Sequence, residues 1–265
     1  MTATRALRNA TRERIDSLLA PWAGGASPGC VVTIVQGGEI VYEQAAGLAD
    51  LERGIPLSPA SAFDIGSLAK QFTAMCIALL AEQGALSLDD DVRQYVPEMP
   101  VYDAPVTLRH LLHHTSGLRD HIELLALGGL RYAAPSSPAE ALALIARQRG
   151  LNHTPGDEFI YNNSGYVLLA LIAERASGVP FPELAGHLVF SPLGMVDSRF
   201  RDGSAEDLRG LAISYEEEDD GFRPSAGGIN LVGDGALVTT ARDLPNAAGR
   251  GVAEGPRPRR ESLGR

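Results

Sequence analysis

The sequence predicts an α/β (α+β) domain over residues 1–244, an antiparallel sheet flanked by helices and joined to a helical lobe at about residues 75–190. Three observations carry this expectation. CVVTIVQ (30–36) and EIVYEQA (39–45) are β-branched runs around Gly37-Gly38, and a two-residue glycine loop closes a hairpin. LAKQFTAMCIALLAEQ (68–83) is a helix-length apolar run followed by Gly84, where a left-handed cap belongs. Helix starts and stops then recur through the middle of the chain.

Taken in order, Thr11 to Leu19 reads as a short amphipathic helix with Ile15, Leu18 and Leu19 on one face. The helix at 68–83 is apolar nearly all round, which predicts burial on every side. Thr107 can cap VTLRHLLHHTSG, with Gly117 as its stop. Pro138 opens a helix to about Arg149, and Ser164 can cap GYVLLALIAERASG, ending at Gly178. FPELAGHLVF (181–190) is another short helix, and polar loops dominate from about 205. GDGALVTTARDL (233–244) reads as a turn, a short strand and a capped helix start.

The last 21 residues differ in kind: five arginines, two glutamates, four glycines and three prolines give a charge of +3. Pro245 and Gly249 oppose helix there, so residues 245–265 are expected to be a disordered or out-of-frame tail.

Composition excludes several functions. With 23 Lys plus Arg against 33 Asp plus Glu, the net charge of −10 disfavours nucleic acid or an anionic membrane as partner. No apolar run reaches the roughly 18 residues that span a bilayer. The first twenty residues lack the apolar core of a secretory signal, so the reading is cytoplasmic. Cys30 and Cys76 lie in apolar runs and read as buried free thiols.

Among 23 basic residues there is one lysine, Lys70, three positions after Ser67 at the head of the apolar helix. Residues three apart share a helical face, about 5–6 Å between Cβ atoms. Burial disfavours an ammonium, and a neutral amine can take the serine proton to release a nucleophile. The helix N-terminus offers free N–H groups to an oxyanion. The bland reading is a serine cap with a lysine that snorkels to the surface. Avoidance of lysine elsewhere favours the catalytic one.

In GDEFIYNNSGYVLLALIAE (156–174), Tyr161 and Asn163 stand two apart; in an extended stretch both point the same way. A phenol beside an ammonium can exchange its proton, and an amide can orient a carbonyl or hold the lysine. Alone, Tyr-x-Asn is a common loop pattern.

FDIGSLAKQFTA and YNNSGYVLLALIAE together resemble the S-x-x-K and Y-x-N motifs of the serine β-lactamase and penicillin-binding-protein superfamily, in its class C-like branch of β-lactamases, esterases and D-aminopeptidases. LSLDDDVRQYVPE, VTLRHLLHHTSGL and GALVTTARDL are similar to framework segments of that branch. The resemblance implies Ser67 as acylated nucleophile, Lys70 and Tyr161 as the proton-transfer pair, and Asn163 as a contact for substrate and lysine. The Ser67 backbone N–H would be one oxyanion donor. No cofactor or metal is implied, and the partner would be a small acyl substrate.

The family's third motif, Lys-Thr-Gly or His-x-Gly, does not occur. The expectation is therefore an incomplete domain with its C-terminal sheet strands missing, from a frameshift or truncation near 245. Its exposed sheet edge could self-associate or take a partner chain. The alternative function is an inactive or binding-only remnant.

Other patterns point nowhere. His110, His113 and His114 share a helical face, but without glutamate at 111 there is no His-Glu-x-x-His, and a structural role is expected. Asp89-Asp90-Asp91 reads as a cap, and Glu216 to Asp220 as a solvated loop. Neither phosphate-loop nor dinucleotide glycine patterns occur.

Overall fold

The computed structural model describes residues 7–129, 137–201, 210–225 and 231–247. The tail from 248 onward lies outside them.

Helix α1 (Asn9–Leu19) buries only Leu19; Leu18, expected on the same face, is exposed. Polar contacts dock this helix instead. The Tyr42 hydroxyl donates to Asp16 Oδ1 at 2.6 Å, and Arg12 donates to the Val41 carbonyl at 3.2 Å. Strands β1 (Cys30–Gln36) and β2 (Glu39–Ala46) form the expected antiparallel hairpin. Gly37 and Gly38 have φ of 61° and 82°, the left-handed pair that a twisted two-residue turn requires.

Strands β3 (Leu48–Asp50) and β4 (Ile55–Pro56) make a second short pair. β5 (Ala62–Asp64) leads directly into the Ser67 turn and helix α2 (Lys70–Glu82). α2 departs from the expected all-round burial. Phe72, Thr73, Cys76, Ile77 and Leu80 are buried, whereas Gln71, Met75, Ala78 and Glu82 form an exposed stripe.

Helix α3 (Leu108–Leu112) has the predicted Thr107 cap, completed by His110 Nδ1 accepting the Thr107 N–H at 3.2 Å. It stops well before Gly117 because His114 adopts φ of 58°, a conformation no right-handed helix accepts. α4 (His121–Leu127) begins at an Asp120 cap, and α5 (Pro138–Ala146) at a Ser137–Glu140 capping box. α6 (Asn163–Ser177) ends at Gly178 as expected, but its cap is Asn162 rather than Ser164. α7 (Phe181–Ala185), a wide turn at Gly186–Phe190 and α8 (Ser191–Leu193) complete the helical region.

β6 (Arg199–Phe200) returns the chain to the sheet. The acidic stretch read as a loop is instead a solvated hairpin, β7 (Tyr215–Glu218) and β8 (Gly221–Pro224). β9 (Leu237–Thr240) is fully buried between β5 and β6, antiparallel to both. Its far end is held by Asp243, whose Oδ2 accepts the Ser198 hydroxyl at 2.8 Å. α9 (Leu244–Ala247) follows with Pro245 buried, so the first residues read as tail are packed.

The core lies between α2 and α6. Ile77, Leu168, Leu169, Ile172, Phe181 and Phe200 are buried together, each contributing about 1.5–3 kcal/mol by leaving water. Phe72, Phe190, Phe200 and Phe181 form a chain of rings 5.1–5.9 Å apart, which fastens α2 and the helical turns to β6. Among the described residues, no helix is long and apolar enough to cross a membrane.

Candidate active site

The buried sheet strand, the tight turn and the core helix meet at Ser67. Asp64 Oδ1 accepts the Gly66 N–H at 2.9 Å, and Ile65 donates to the Leu237 carbonyl of β9 at 3.0 Å. Gly66, at φ of 53°, turns the chain so that Ser67 stands exposed in the first turn before α2. Among the described residues the Ser67 backbone N–H has no acceptor, as expected of a helix start.

Lys70 does not snorkel. It is 6% exposed, and its Nζ donates to Ser67 Oγ at 3.1 Å, Asn163 Oδ1 at 2.8 Å and the Asp234 backbone carbonyl at 2.6 Å. Three acceptors satisfy the three ammonium hydrogens. In the neutral form the amine keeps two N–H bonds, to Asn163 and Asp234, and its lone pair faces Ser67 Oγ. The rings of Tyr161 and Tyr166 lie over Nζ, with centroids at 5.0 and 5.7 Å.

Tyr161 and Asn163 both reach Lys70, though not for the expected reason. Asn163 is the first helical residue of α6, so the alternation of an extended chain does not relate them. The Asn162 cap between them sets the geometry. Its Oδ1 accepts the Gly165 N–H, its Nδ2 donates to the Leu118 carbonyl, both at 2.8 Å, and its own N–H donates to His114 Nδ1 at 3.0 Å. The bond from Asn162 makes His114 Nδ1 an acceptor. Its ring stacks on Tyr161 at 4.6 Å and 30°, and burial, then the Lys70 charge, push its pKa down. A neutral imidazole thus backs the phenol.

Several participants escaped the sequence reading. Asp120 accepts the N–H groups of Ile122 and Glu123 through Oδ1 and that of Asn163 through Oδ2, tying together the starts of α4 and α6. An aspartate before HIELLAL is a helix-start signal that could have marked it. Asp234 supplies a backbone atom, for which the sequence has no signal. Thr73 Oγ1 donates to the neighbouring Gly233 carbonyl at 2.9 Å, locking that turn onto α2.

A serine and a buried lysine one turn apart at the start of a helix that leaves an antiparallel sheet, facing Tyr-x-Asn at a second helix start, define a penicillin-binding-protein-like class of fold. Comparison with known proteins agrees. The Beta-lactamase family model matches residues 11–262, and the chain belongs to that family, within the serine β-lactamase and penicillin-binding-protein-like superfamily. It is 37% identical over 174 residues to penicillin-binding protein 4* of Bacillus subtilis (strain 168), covering 63% of this chain and 37% of that one. It is 32% identical over 220 residues to a D-aminopeptidase of Cereibacter sphaeroides (strain KD131 / KCTC 12085), covering 82% and 42%. Among solved structures, the octameric penicillin-binding protein homologue from Pyrococcus abyssi superimposes with a TM-score of 0.76 at 31% identity, over 91% of this chain and 56% of that one. The chain thus spans about two fifths of the length of the curated relatives it matches.

Proposed function

We propose that this chain is a serine hydrolase that works through an acyl-serine on an ester, a small amide or peptide, or a β-lactam. The observation that carries the reading is the orientation of Lys70, whose two fixed acceptors leave its third direction on Ser67 Oγ at 3.1 Å. In this reading the neutral amine takes the Ser67 proton as Oγ attacks the substrate carbonyl. The Ser67 backbone N–H donates to the oxygen that becomes negative. Tyr161, 46% exposed and with no hydrogen-bond partner for its hydroxyl among the described residues, faces the incoming substrate and passes a proton to the leaving group. In this reading the Lys70 ammonium returns that proton to the phenol. Water then attacks the acyl-serine by the reverse sequence. Asn163 holds Lys70 and offers its amide N–H to the substrate.

The reading is tested by turnover of p-nitrophenyl acetate, a D-amino-acid p-nitroanilide and nitrocefin by the wild-type chain and Tyr161→Phe. Hydrolysis of at least one is expected, slowed about 100-fold in the variant, the scale of a lost general acid–base group. Equal rates in both proteins would remove Tyr161 from the mechanism. No turnover of any of the three would favour the binding-only alternative.

A further inference from the structure

Near Lys70 lie two titratable groups whose side chains the mechanism above does not use. His121 is wholly buried and Asp234 is 2% exposed. His121 Nε2 stands 3.8 Å from Asp234 Oδ2, and among the described residues neither atom has a hydrogen-bond partner. The other side-chain polar atoms of the pair have neighbours. Asp234 Oδ1 accepts the Leu231 N–H at 2.9 Å, and the Asp234 backbone carbonyl accepts from Lys70. His121 Nδ1 lies 3.4 Å from Ser164 Oγ, while its backbone N–H donates to that oxygen at 2.8 Å.

The Ser164 hydroxyl fixes the tautomer. Its single hydrogen is donated to the Arg119 carbonyl at 2.9 Å, so it can only accept from the imidazole, and Nδ1 carries a hydrogen. Nε2 and Oδ2 therefore face one another with room for one proton. Without it, two acceptors would oppose each other in a dry interior, each bearing its full desolvation penalty. With it, either a carboxylic acid donates to a neutral imidazole or an imidazolium donates to a carboxylate. Both forms have zero net charge, and a small side-chain rotation closes the gap.

We propose that His121 and Asp234 share one proton and act as a positioning pair that sets the charge Lys70 meets: zero while the proton is held, −1 once it is lost. The charged groups facing the pair are Lys70 from α2 and Asp120 from the turn before α4; α6 presents Ser164, and the 231–234 turn contributes backbone. Burial pushes the Asp234 carboxyl up to about 7 and the His121 imidazole down, which agrees with a proton held on the carboxyl side near neutrality. Loss of the shared proton favours the Lys70 ammonium, which cannot accept from Ser67. Retention leaves the lysine free to become the base. The functional meaning of the pair rests on the proposed role of Lys70, but its chemistry can be measured without activity.

The sequence makes that measurement direct, because Lys70 is its one lysine. Lysine labelled with ¹³C at Cε reports the titration of that residue alone in the full chain. Asp234→Asn keeps an amide that can donate to Nε2 but removes the exchangeable proton. In the wild type a negative charge appears beside Lys70 as pH rises, and in the variant none does. The lysine midpoint is therefore expected to fall by about one pH unit in Asp234→Asn, the scale of a nearby opposite charge. An unchanged or higher midpoint in the folded variant overturns the proposal. In the wild type, ¹⁵N and ¹³C spectra should show the Nδ1–H form of His121 and an inflection common to His121 and the Asp234 carboxyl. An Asp234 that titrates alone near 4, the ordinary carboxylate range, or an Nε2–H imidazole beside an ionised carboxylate, also overturns it. Should hydrolysis fail while the lysine midpoint still shifts, only the catalytic reading is lost.

Discussion

Lys70→Arg is expected to reduce acylation of Ser67 by about 1000-fold, within the range that a general base contributes. Arginine keeps the positive charge and can donate to Asn163 Oδ1 and the Asp234 carbonyl, the two fixed acceptors of the native lysine. It cannot become a neutral amine at accessible pH. The variant therefore separates a cation that merely braces the site from a base that accepts a proton. Rates of labelling by a fluorophosphonate, with circular dichroism to confirm the fold, are the measurement. Wild-type rates in a folded Lys70→Arg would show that Lys70 is structural.

Gly233→Ala is expected to destabilise the fold by about 3 kcal/mol, the scale of overpacking combined with a forbidden backbone conformation. Gly233 has φ of 107°, which L side chains rarely adopt. A methyl group there would run into the Tyr166 carbonyl and stand 2.7 Å from Ala170 Cβ, both on α6. The helix cannot yield, because Leu168, Leu169 and Ile172 anchor it in the core. The turn must move instead, taking the Gly233 carbonyl from Thr73 and the Asp234 carbonyl from Lys70. Urea denaturation should show the loss, and Ser67 labelling should fall in the fraction that remains folded. Stability within about 0.5 kcal/mol of wild type, the range of an ordinary surface substitution, would contradict this account of the turn.

What the sequence revealed was mostly local chemistry. Gly37-Gly38 predicts its hairpin because glycine alone enters that turn freely. Ser67 and Lys70 are legible together because helical spacing brings them to one face, and the structure places Oγ and Nζ 3.1 Å apart. The start of α6 shows where local reading ends. Asn162, Asn163 and Ser164 are all capping residue types, and distant partners decide among them. Leu118 takes the Asn162 amide, Asp120 takes the Asn163 N–H, and Arg119 with His121 engages Ser164. The exposed stripe of α2 was hidden for the opposite reason: Met75 and Ala78 are apolar, yet nothing in their pattern states that no neighbour covers them. Asp234 was hidden most deeply. It lies 164 positions from Lys70 and contacts it through a backbone carbonyl, which any residue type could supply.

The central claim is that Ser67 is a nucleophile made reactive by Lys70. The most direct test is the intact mass of the folded chain after incubation with a fluorophosphonate, followed by peptide mapping. The account predicts one adduct per chain, carried by Ser67 and absent from Ser67→Ala. A folded wild-type chain that gains no mass, or a Ser67→Ala chain that gains the same mass, would contradict it.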